Sequence, residues 1–373
     1  MTDLMRNDLR PLFESARSAH AGLLMQRGLV RWEEGDKPTK QALIKTISNV
    51  QADELYFLAF KRWLALSHGE DGFANLSAKI DGRLFIGLAL GGTLETGVMT
   101  HHTYGVPMIA GSSVKGAVRS YAEQLFAVRD DNGRITYHDG QAVIPENKQA
   151  IFDILFGAES DDEASAGYLI WHDAWWIPPT TKDLKLSTGE QNKPFVSEVV
   201  TVHHQAYYND TMKEALDIEN PIPNQQLAVQ GDFYFCIEGT GNWTAFAKQL
   251  LENMLKDQGV GAKGSNGYGY FVMDANLEKT VAKLADTQKP IDTLDPLANI
   301  RLQVRLVQSE LVKKLSKDSN RFFRDLDLDK QNAEDRKKVV RVVLEEFHDI
   351  VETWGNQNST NAQRAYEFVQ NNR

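Results

Sequence analysis

Two stretches that lie far apart in the chain carry residues suited to binding a polyanion. The first begins with Gly111, Ser112 and Ser113 and continues as a predicted helix, on which Lys115 and Arg119 share one face. Either serine is expected to cap this helix, whose first N–H groups attract anions. This stretch, the serine corner, therefore predicts a phosphate site, although Gly-Ser-Ser is also common where a strand simply leads into a helix.

The second stretch is a glycine-rich loop at residues 259–271. Its glycines, Gly261 among them, allow positive φ angles and a close approach of the backbone to a ligand. Lys263 supplies a positive charge, Ser265 a hydroxyl group and Tyr268 an aromatic ring. Hairpins and bulges also use glycine, so the loop alone is weak support for a binding site.

Two pairs of adjacent histidines are the third feature: His101 with His102, and His203 with His204. Histidines can bind a metal ion, or cleave RNA by moving protons to and from its oxygens. They can also stack on single-stranded RNA, as Tyr104 nearby could. Adjacent histidines lack the i, i+4 spacing of helical zinc sites, so we expect no metal and no cofactor. Cleavage and stacking both stay open.

Composition narrows the class of protein. The 373 residues carry a formal net charge of −10, which disfavours a freestanding nonspecific nucleic-acid binder but allows a local basic groove. The single cysteine, Cys236, excludes an internal disulfide and a cysteine zinc site. No apolar run approaches the roughly 20 residues of a membrane helix, and the first residues do not resemble a signal peptide. We expect a cytoplasmic protein.

The hydrophobic pattern predicts a mixed core in the order strand, helix, strand, strand, helix, strand. The predicted elements are a strand at 84–90, a helix from Ser113 to about 128, strands at 168–177 and 227–237, a helix from its cap Asn242 to 255, and a strand at 268–273. This order predicts an α+β, ferredoxin-like fold, in which helices cover one face of an antiparallel sheet.

The sequence predicts mainly helical segments on either side of this core. The N-terminal segment, 1–75, contains apolar residues at helical spacing up to Leu24 and a second predicted helix at about 40–66. The core spans 76–280, and a charged extension spans 281–373. An amphipathic stripe at 340–354 in this extension could pack on the protein's own core or dock to another subunit. Both interpretations stay open.

The serine corner and the glycine-rich loop together resemble the RAMP superfamily of CRISPR proteins. Members carry a Gly-Ser-Ser-x-Lys-Gly-x-x-Arg corner and a late Gly-x-Gly-x-Lys-x-x-x-Gly-Tyr-Gly loop, and residues 111–119 and 259–269 are similar to both. The resemblance implies a ferredoxin-like, RRM-related core. It also implies that the corner, the loop and the four histidines contact RNA.

Further stretches resemble the family of sixth subunits of Cmr complexes, the type III-B RNA-targeting CRISPR effectors. They are residues 22–27, 94–116 and 200–208, and the similarity runs from about 19 to 273. Ala110 stands where the family usually has proline before the corner. The resemblance implies a non-catalytic RNA-binding structural subunit, which contacts guide RNA near its 3′ end, target RNA, other RAMP subunits and a small helical subunit in antiviral defence. The competing hypothesis is a metal-independent CRISPR-RNA endoribonuclease that uses the loop histidines.

Overall fold

The computed structural model describes residues 2–11, 17–33, 35–158, 164–202, 213–214, 222–287, 333–356 and 360–373. The chain divides into two compact units, Met1–Gln288 and Lys289–Arg373. The boundaries expected from the sequence near 75 and 280 stay a prediction. Within the described ranges, no helix combines the length and the apolar character that crossing a membrane requires.

Helices and strands alternate along the first unit. Its helices are α1 Ala21–Arg27, α2 Lys37–Ser48, α3 Glu54–Ser67, α4 Gly111–Phe126, α5 Glu146–Phe156, α6 Asn242–Asp257 and α7 Ala275–Asp286. Its strands are β1 Thr2–Asp3, β2 Arg31–Trp32, β3 Phe73–Asp81, β4 Met108–Ile109, β5 Tyr137–His138, β6 Gln141–Ala142, β7 Ile170–Trp171, β8 Ala174–Ile177, β9 Phe195–Val202, β10 Ile222–Val229, β11 Asp232–Glu238 and β12 Tyr270–Met273. The second unit contains α8 Ala333–Gly355 and α9 Thr360–Asn371.

A six-stranded sheet forms the centre of the first unit. Its strands run in the order β12-β3-β11-β8-β4, and β7 also pairs with β11. Each of these pairings is antiparallel. Helix α4 lies between β3 and β8 in the chain, and α6 lies between β11 and β12. The mixed helix-and-sheet class predicted from the sequence is confirmed.

The first core strand is not the one predicted. It is β3 at Phe73–Asp81, whereas the apolar run at 84–90 forms only isolated bridges, Leu84 with Val229 and Phe85 with Ala262. Gly87 takes a φ of 72°, and a short 3₁₀ turn follows at Leu88–Leu90. A left-handed residue interrupts a strand, so the run is apolar because its first residues are buried, not because it forms a long strand.

Three other predicted elements are each divided in two. The strand predicted at 168–177 is β7 followed by β8. The helix predicted at 40–66 is α2 followed by α3, and Asp53 begins α3 by accepting the Tyr56 N–H at 2.9 Å. The strand predicted at 227–237 is β10 followed by β11, with Gly231 at φ 105° between them. Strand β10 pairs with β9 as a hairpin instead of joining the central sheet. Asn242 is the first residue of α6, while Gly241 takes the cap position, so the predicted asparagine cap is wrong.

Helices cover both faces of the sheet, not one as expected. Neighbouring residues of a strand point to opposite faces. On β11, Phe233 and Phe235 pack in the main core with α4 and α6, while Tyr234 and Cys236 pack in a second cluster with α3 and α7. Each fully buried aromatic or large aliphatic side chain stabilises such a cluster by about 1.5–3 kcal/mol. The second face of the sheet is therefore closed by the protein's own helices.

The amphipathic stripe of the second unit packs within that unit. Val340, Val343 and Trp354 of α8 are buried in one cluster with Ala365 and Val369 of α9. Trp354 is only 2% exposed. The apolar side of α8 therefore has a partner in its own unit, as the core-packing interpretation expects.

A half-buried carboxyl at the start of β11 gives the fold a predicted pH dependence. Burial raises the pKa of Asp232 to about 6; Lys79 opposes the shift and Asp274 adds to it. Because the folded-state pKa is raised, Asp232 favours folding in its protonated form, and that contribution is lost as the pH rises through about 6. We expect Asp232→Asn to raise the melting temperature at pH 8 and to have little effect at pH 4.

Thermal unfolding between pH 4 and pH 8 measures the difference, with Asp81→Asn, an exposed site on β3, as the control for net charge. A stabilisation by Asp232→Asn that does not change with pH, or a loss of stability at pH 8, would contradict the assignment.

Candidate functional site

The serine corner begins where β4 leads into α4, and a carboxylate already occupies part of the helix start. The Gly111 N–H donates to Asp173 Oδ1 at 2.7 Å. The N–H groups of Ser113 and Val114 donate to the Ala110 carbonyl at 2.9 and 3.0 Å. Ala110 takes the cap position without a side-chain bond, so the expected serine cap is wrong. Asp173 supplies the negative charge that a helix N-terminus favours.

The sequence pattern did not identify Asp173 as part of the site. It lies between β7 and β8, next to His172, in an otherwise apolar strand. His172 in turn bonds Glu238 of the neighbouring strand β11, with Nε2 and Oε2 2.9 Å apart. The adjacent polar residues His172 and Asp173 interrupt an apolar strand, and this pattern could have indicated a site. Buried polar groups of this kind usually have hydrogen-bond partners.

The remaining polar residues of the corner are presented on its surface. Ser112 and Ser113 are exposed, and Lys115 is half-buried on the first turns of α4. Arg119 is also half-buried, and its Nε lies 3.1 Å from Glu123 Oε1 on the same helix. Part of the Arg119 charge is therefore shared with Glu123, and Lys115 is the stronger candidate for an outside anion. The phosphate-binding role of these residues stays a prediction.

Steric contacts require glycine at position 111 of the corner but not at position 116. A Cβ on Gly111 would lie 2.0 Å from the Trp171 carbonyl oxygen, so α4 can begin this close to β7 only with glycine. A Cβ on Gly116 would meet nothing within 4 Å. Packing explains Gly111. It does not explain Gly116, which leaves a bare patch on the helix beside Lys115.

The glycine-rich loop folds back on the segment after β3. Gly261 has a φ of 95°, and a Cβ there would lie 2.3 Å from the Phe85 carbonyl oxygen. That same oxygen accepts the Ala262 N–H at 2.7 Å. Tyr268 lies edge-on to the Phe85 ring, with centroids 4.7 Å apart. Mainly through burial, the pKa of Tyr268 is raised, so its hydroxyl keeps its proton.

The tip of this loop carries its positive charge in an unusual conformation. Lys263 has a φ of 63°, a left-handed geometry that few residues other than glycine adopt. A single 3₁₀ turn, Gly264–Asn266, follows and exposes Ser265. Strained residues of this kind are concentrated at functional sites, although strain alone does not identify a function.

Backbone hydrogen bonds link the loop to the corner through two intervening segments. The Ala262 N–H donates to Phe85, the Met99 N–H donates to the Ile86 carbonyl at 3.1 Å, and the Met108 N–H donates to the Met99 carbonyl at 3.2 Å. Met108 belongs to β4, which leads directly into the serine corner. The two stretches therefore belong to one hydrogen-bonded framework.

His101 lies in that framework and is held from several sides. Its Nδ1 accepts the Thr103 N–H at 3.2 Å, so the neutral ring carries its proton on Nε2. The ring centroid lies 4.8 Å from that of Tyr104 and 4.9 Å from that of Trp175. Burial lowers the pKa of His101, and the Asp173 carboxylate opposes that effect. At neutral pH His101 is therefore an uncharged, packed ring.

The other predicted histidines lie in different surroundings. His102 is exposed, and its carbonyl binds the Nε2 of His20, which caps α1, at 2.8 Å. His203 and His204 lie outside the described residues. In the part of the chain that is described, no group of three His, Cys, Asp or Glu residues could hold a metal ion.

The chain is similar to known proteins both in a family model and in a curated relative. A family model described as the RAMP superfamily matches residues 78–272. A curated relative, CRISPR system Cmr subunit Cmr6 of Pyrococcus furiosus, is 27% identical over 233 residues, which are 52% of this chain and 66% of the relative. The match thus spans slightly less than two thirds of that relative's length.

Two solved structures are also similar. One is a chain from the type III-B Cmr-beta complex bound to cognate target RNA, 19% identical, with a TM-score of 0.41 over 72% of this chain and 86% of that one. The other is Cmr6 from Pyrococcus furiosus, 21% identical, with a TM-score of 0.33 over 54% of this chain and 98% of that one.

The contrast between the two corner glycines gives a direct test of their roles. We expect Gly111→Ala to destabilise the protein by about 1–3 kcal/mol, because the new methyl group would overlap a backbone carbonyl that cannot move aside. We expect Gly116→Ala to raise the melting temperature by about 2–4 °C, because alanine favours a helix interior by up to about 1 kcal/mol.

Differential scanning calorimetry of both variants measures the two effects. Equal melting temperatures for Gly111→Ala and the parent protein would show that the contact with Trp171 does not fix the corner. A large loss for Gly116→Ala would show that packing does require that glycine.

Proposed function

The chain belongs to the RAMP superfamily, and on that premise we propose that it is a non-catalytic, RNA-binding structural subunit of a type III-B (Cmr) CRISPR effector complex. In this proposal it contacts guide RNA near its 3′ end, target RNA, other RAMP subunits and a small helical subunit. The 27% identity to a Cmr6 protein supports the choice of complex. The element order and the sheet order β12-β3-β11-β8 support a ferredoxin-like core.

The observation that carries the RNA-binding proposal is the bare helix face at Gly116. Glycine inside a helix costs about 0.5–1 kcal/mol relative to alanine, and no neighbouring atom requires it here. Lys115 lies beside it, and Ser112 and Ser113 are exposed one turn earlier. A sugar-phosphate backbone could approach this face closely, with a cation and two hydroxyl groups to receive a phosphate.

The closed second face of the sheet directs the RNA elsewhere. RRM modules stack bases on an open sheet. Here α3 and α7 cover that face, with Phe60 of α3 and Leu284 of α7 fully buried there. We therefore place the RNA along the loops, from the serine corner across His101 and His102 to Gly261, Lys263, Ser265 and Tyr268. Arg119, on the same face of α4 as Lys115, adds a second positive charge to this path.

The endoribonuclease hypothesis receives less support from this geometry. General acid–base cleavage needs a histidine whose ring can exchange protons with the RNA. The Nδ1 of His101 already accepts a backbone N–H, and its ring packs against Tyr104 and Trp175. These contacts favour a positioning or stacking role for His101 over proton transfer.

Removing the two most available cations tests the proposal. We expect Lys115→Ala with Lys263→Ala to weaken binding of a single-stranded RNA with the sequence of the guide 3′ end by about 3–6 kcal/mol, since each lysine supplies a charge-assisted hydrogen bond that contributes about 1.5–3 kcal/mol. The slope of log affinity against log salt should fall by about 1.4, or about 0.7 for each phosphate that the protein no longer neutralises.

Filter binding between 50 and 300 mM salt measures both quantities. Lys279→Ala, which removes an exposed lysine from α7 on the opposite face, is the matched control. An unchanged slope in the double variant would remove the corner and the loop from the RNA site. RNA recovered shortened from the parent protein but intact from His101→Phe would favour the endoribonuclease hypothesis instead.

A further inference from the structure

A cavity of about 490 Å³ lies between α1 and the segment that precedes the serine corner. Its apolar walls come from Leu23, Met25, Leu90, Val98 and Met99, and backbone at Gly22, Gly91 and Gly97 completes them. Pockets for small organic groups have volumes of about 300–1,000 Å³. The cavity is therefore large enough for a planar ring system.

Hydrogen bonds hold the two sides of this cavity together. His20 accepts the Leu23 N–H on Nδ1 at 3.1 Å, which leaves its proton on Nε2 to donate to the His102 carbonyl at 2.8 Å. The Thr93 hydroxyl donates to the Met25 carbonyl at 2.8 Å. Because α1 and the segment opposite it are tied at two points, the cavity is largely formed before any ligand enters.

Besides His20, whose two ring nitrogens are already hydrogen-bonded, four polar side chains line the cavity: Gln26, Thr100, His102 and Thr103. Among the described residues, none of these side chains has a hydrogen-bond partner. No Lys, Arg, Asp or Glu lines the cavity. Its surface therefore combines apolar walls with amide, hydroxyl and imidazole groups that can form hydrogen bonds.

We propose that this cavity binds one unstacked nucleobase of single-stranded RNA, an inference that rests on the proposed RNA-binding function. A phosphate would find no cation there. An apolar side chain from a protein partner would bury the polar groups without partners, which costs free energy. A base offers apolar faces to the leucines and methionines and polar edges to the glutamine, threonines and histidine, as single-strand recognition requires.

The position of the cavity agrees with the path proposed for the RNA. His102 and Thr103 form part of its rim, and the backbone continues through Thr100, which bridges to Pro107, into β4 and the serine corner. An RNA strand whose phosphate rests on the corner could turn a neighbouring base toward this rim. The corner would supply affinity, and the cavity would hold one particular nucleotide.

A second cavity provides a contrast and a control. It lies beside α2 and β10 and is lined by Asp36, Lys37, Lys40 and Glu95, with Gln41 among the other residues. Lys40 forms an ion pair with Glu95 there. Its charged lining is unsuited to a neutral base, so a change at Gln41 should not affect base recognition.

The test uses the full chain and a synthetic single-stranded RNA with the guide 3′-end sequence, in which one abasic nucleotide is placed at each position in turn. For the parent protein, we expect the abasic nucleotide to lower affinity by about tenfold at one position, the size expected for the removal of two neutral hydrogen bonds. Gln26→Leu with Thr100→Val should lower affinity for the intact RNA by a similar factor. In this double variant the abasic nucleotide should have no further effect at that position.

The controls separate the possible failures. Gln41→Leu should behave as the parent protein, and the abasic scan of the parent stands as a test even if the double variant does not fold. If the RNA binds with its lysine-dependent salt slope but no position is sensitive, the base cavity is wrong and the RNA-binding function stands. If no RNA binds, both are wrong. If the double variant keeps its RNA affinity but no longer joins its partner subunits, the cavity is a protein-docking site and the proposal is overturned.

Discussion

The close approach of Gly111 to β7 is the contact on which the arrangement of the site depends. A side chain at this position would overlap the Trp171 carbonyl, and the N–H of the same glycine is held by Asp173 at 2.7 Å. Together these contacts fix where α4 begins and which way its first turn faces. Ser112, Ser113 and Lys115 are presented outward as a consequence. The Asp173 carboxylate also opposes the lowering of the His101 pKa by burial, so its charge acts on both the corner and the histidine loop.

The second constraint is the closure of the sheet. Tyr234 and Cys236 of β11 are buried under α3 and α7, and burial raises the pKa of the Cys236 thiol to about 12. A thiol with so high a pKa is inert, and a face so filled offers no platform for bases. In the proposed function, the surface left for RNA is the loop edge, where backbone hydrogen bonds connect the glycine-rich loop, the segment after β3 and the serine corner. Function in this protein is therefore expected in loops supported by a rigid sheet.

Local pattern was enough to predict the class of the fold and the positions of the serine corner and the glycine-rich loop, because periodicity and turn residues are local signals. Local pattern did not predict the features that depend on contacts between residues far apart in the chain. Residues 84–90 look like a strand because Leu84 and Phe85 are buried, but Gly87 ends the pairing. The closing of the second face by α3 and α7 depends on contacts between the two ends of the unit, and Asp173 accepts a hydrogen bond from Gly111, 62 residues earlier in the chain, where α4 begins. No sequence window contains such information.

The central claim is that RNA follows the loop edge and not the sheet, and crosslinking within the assembled effector complex tests it most directly. Guide RNA with 4-thiouridine at successive positions near its 3′ end would be irradiated in the complex, and the crosslinked peptides of this subunit would be identified by mass spectrometry. The account predicts crosslinks in the peptides that contain residues 100–119 and 261–268. Crosslinks that fall instead on α3 or α7, with none at the serine corner or the glycine-rich loop, would contradict it.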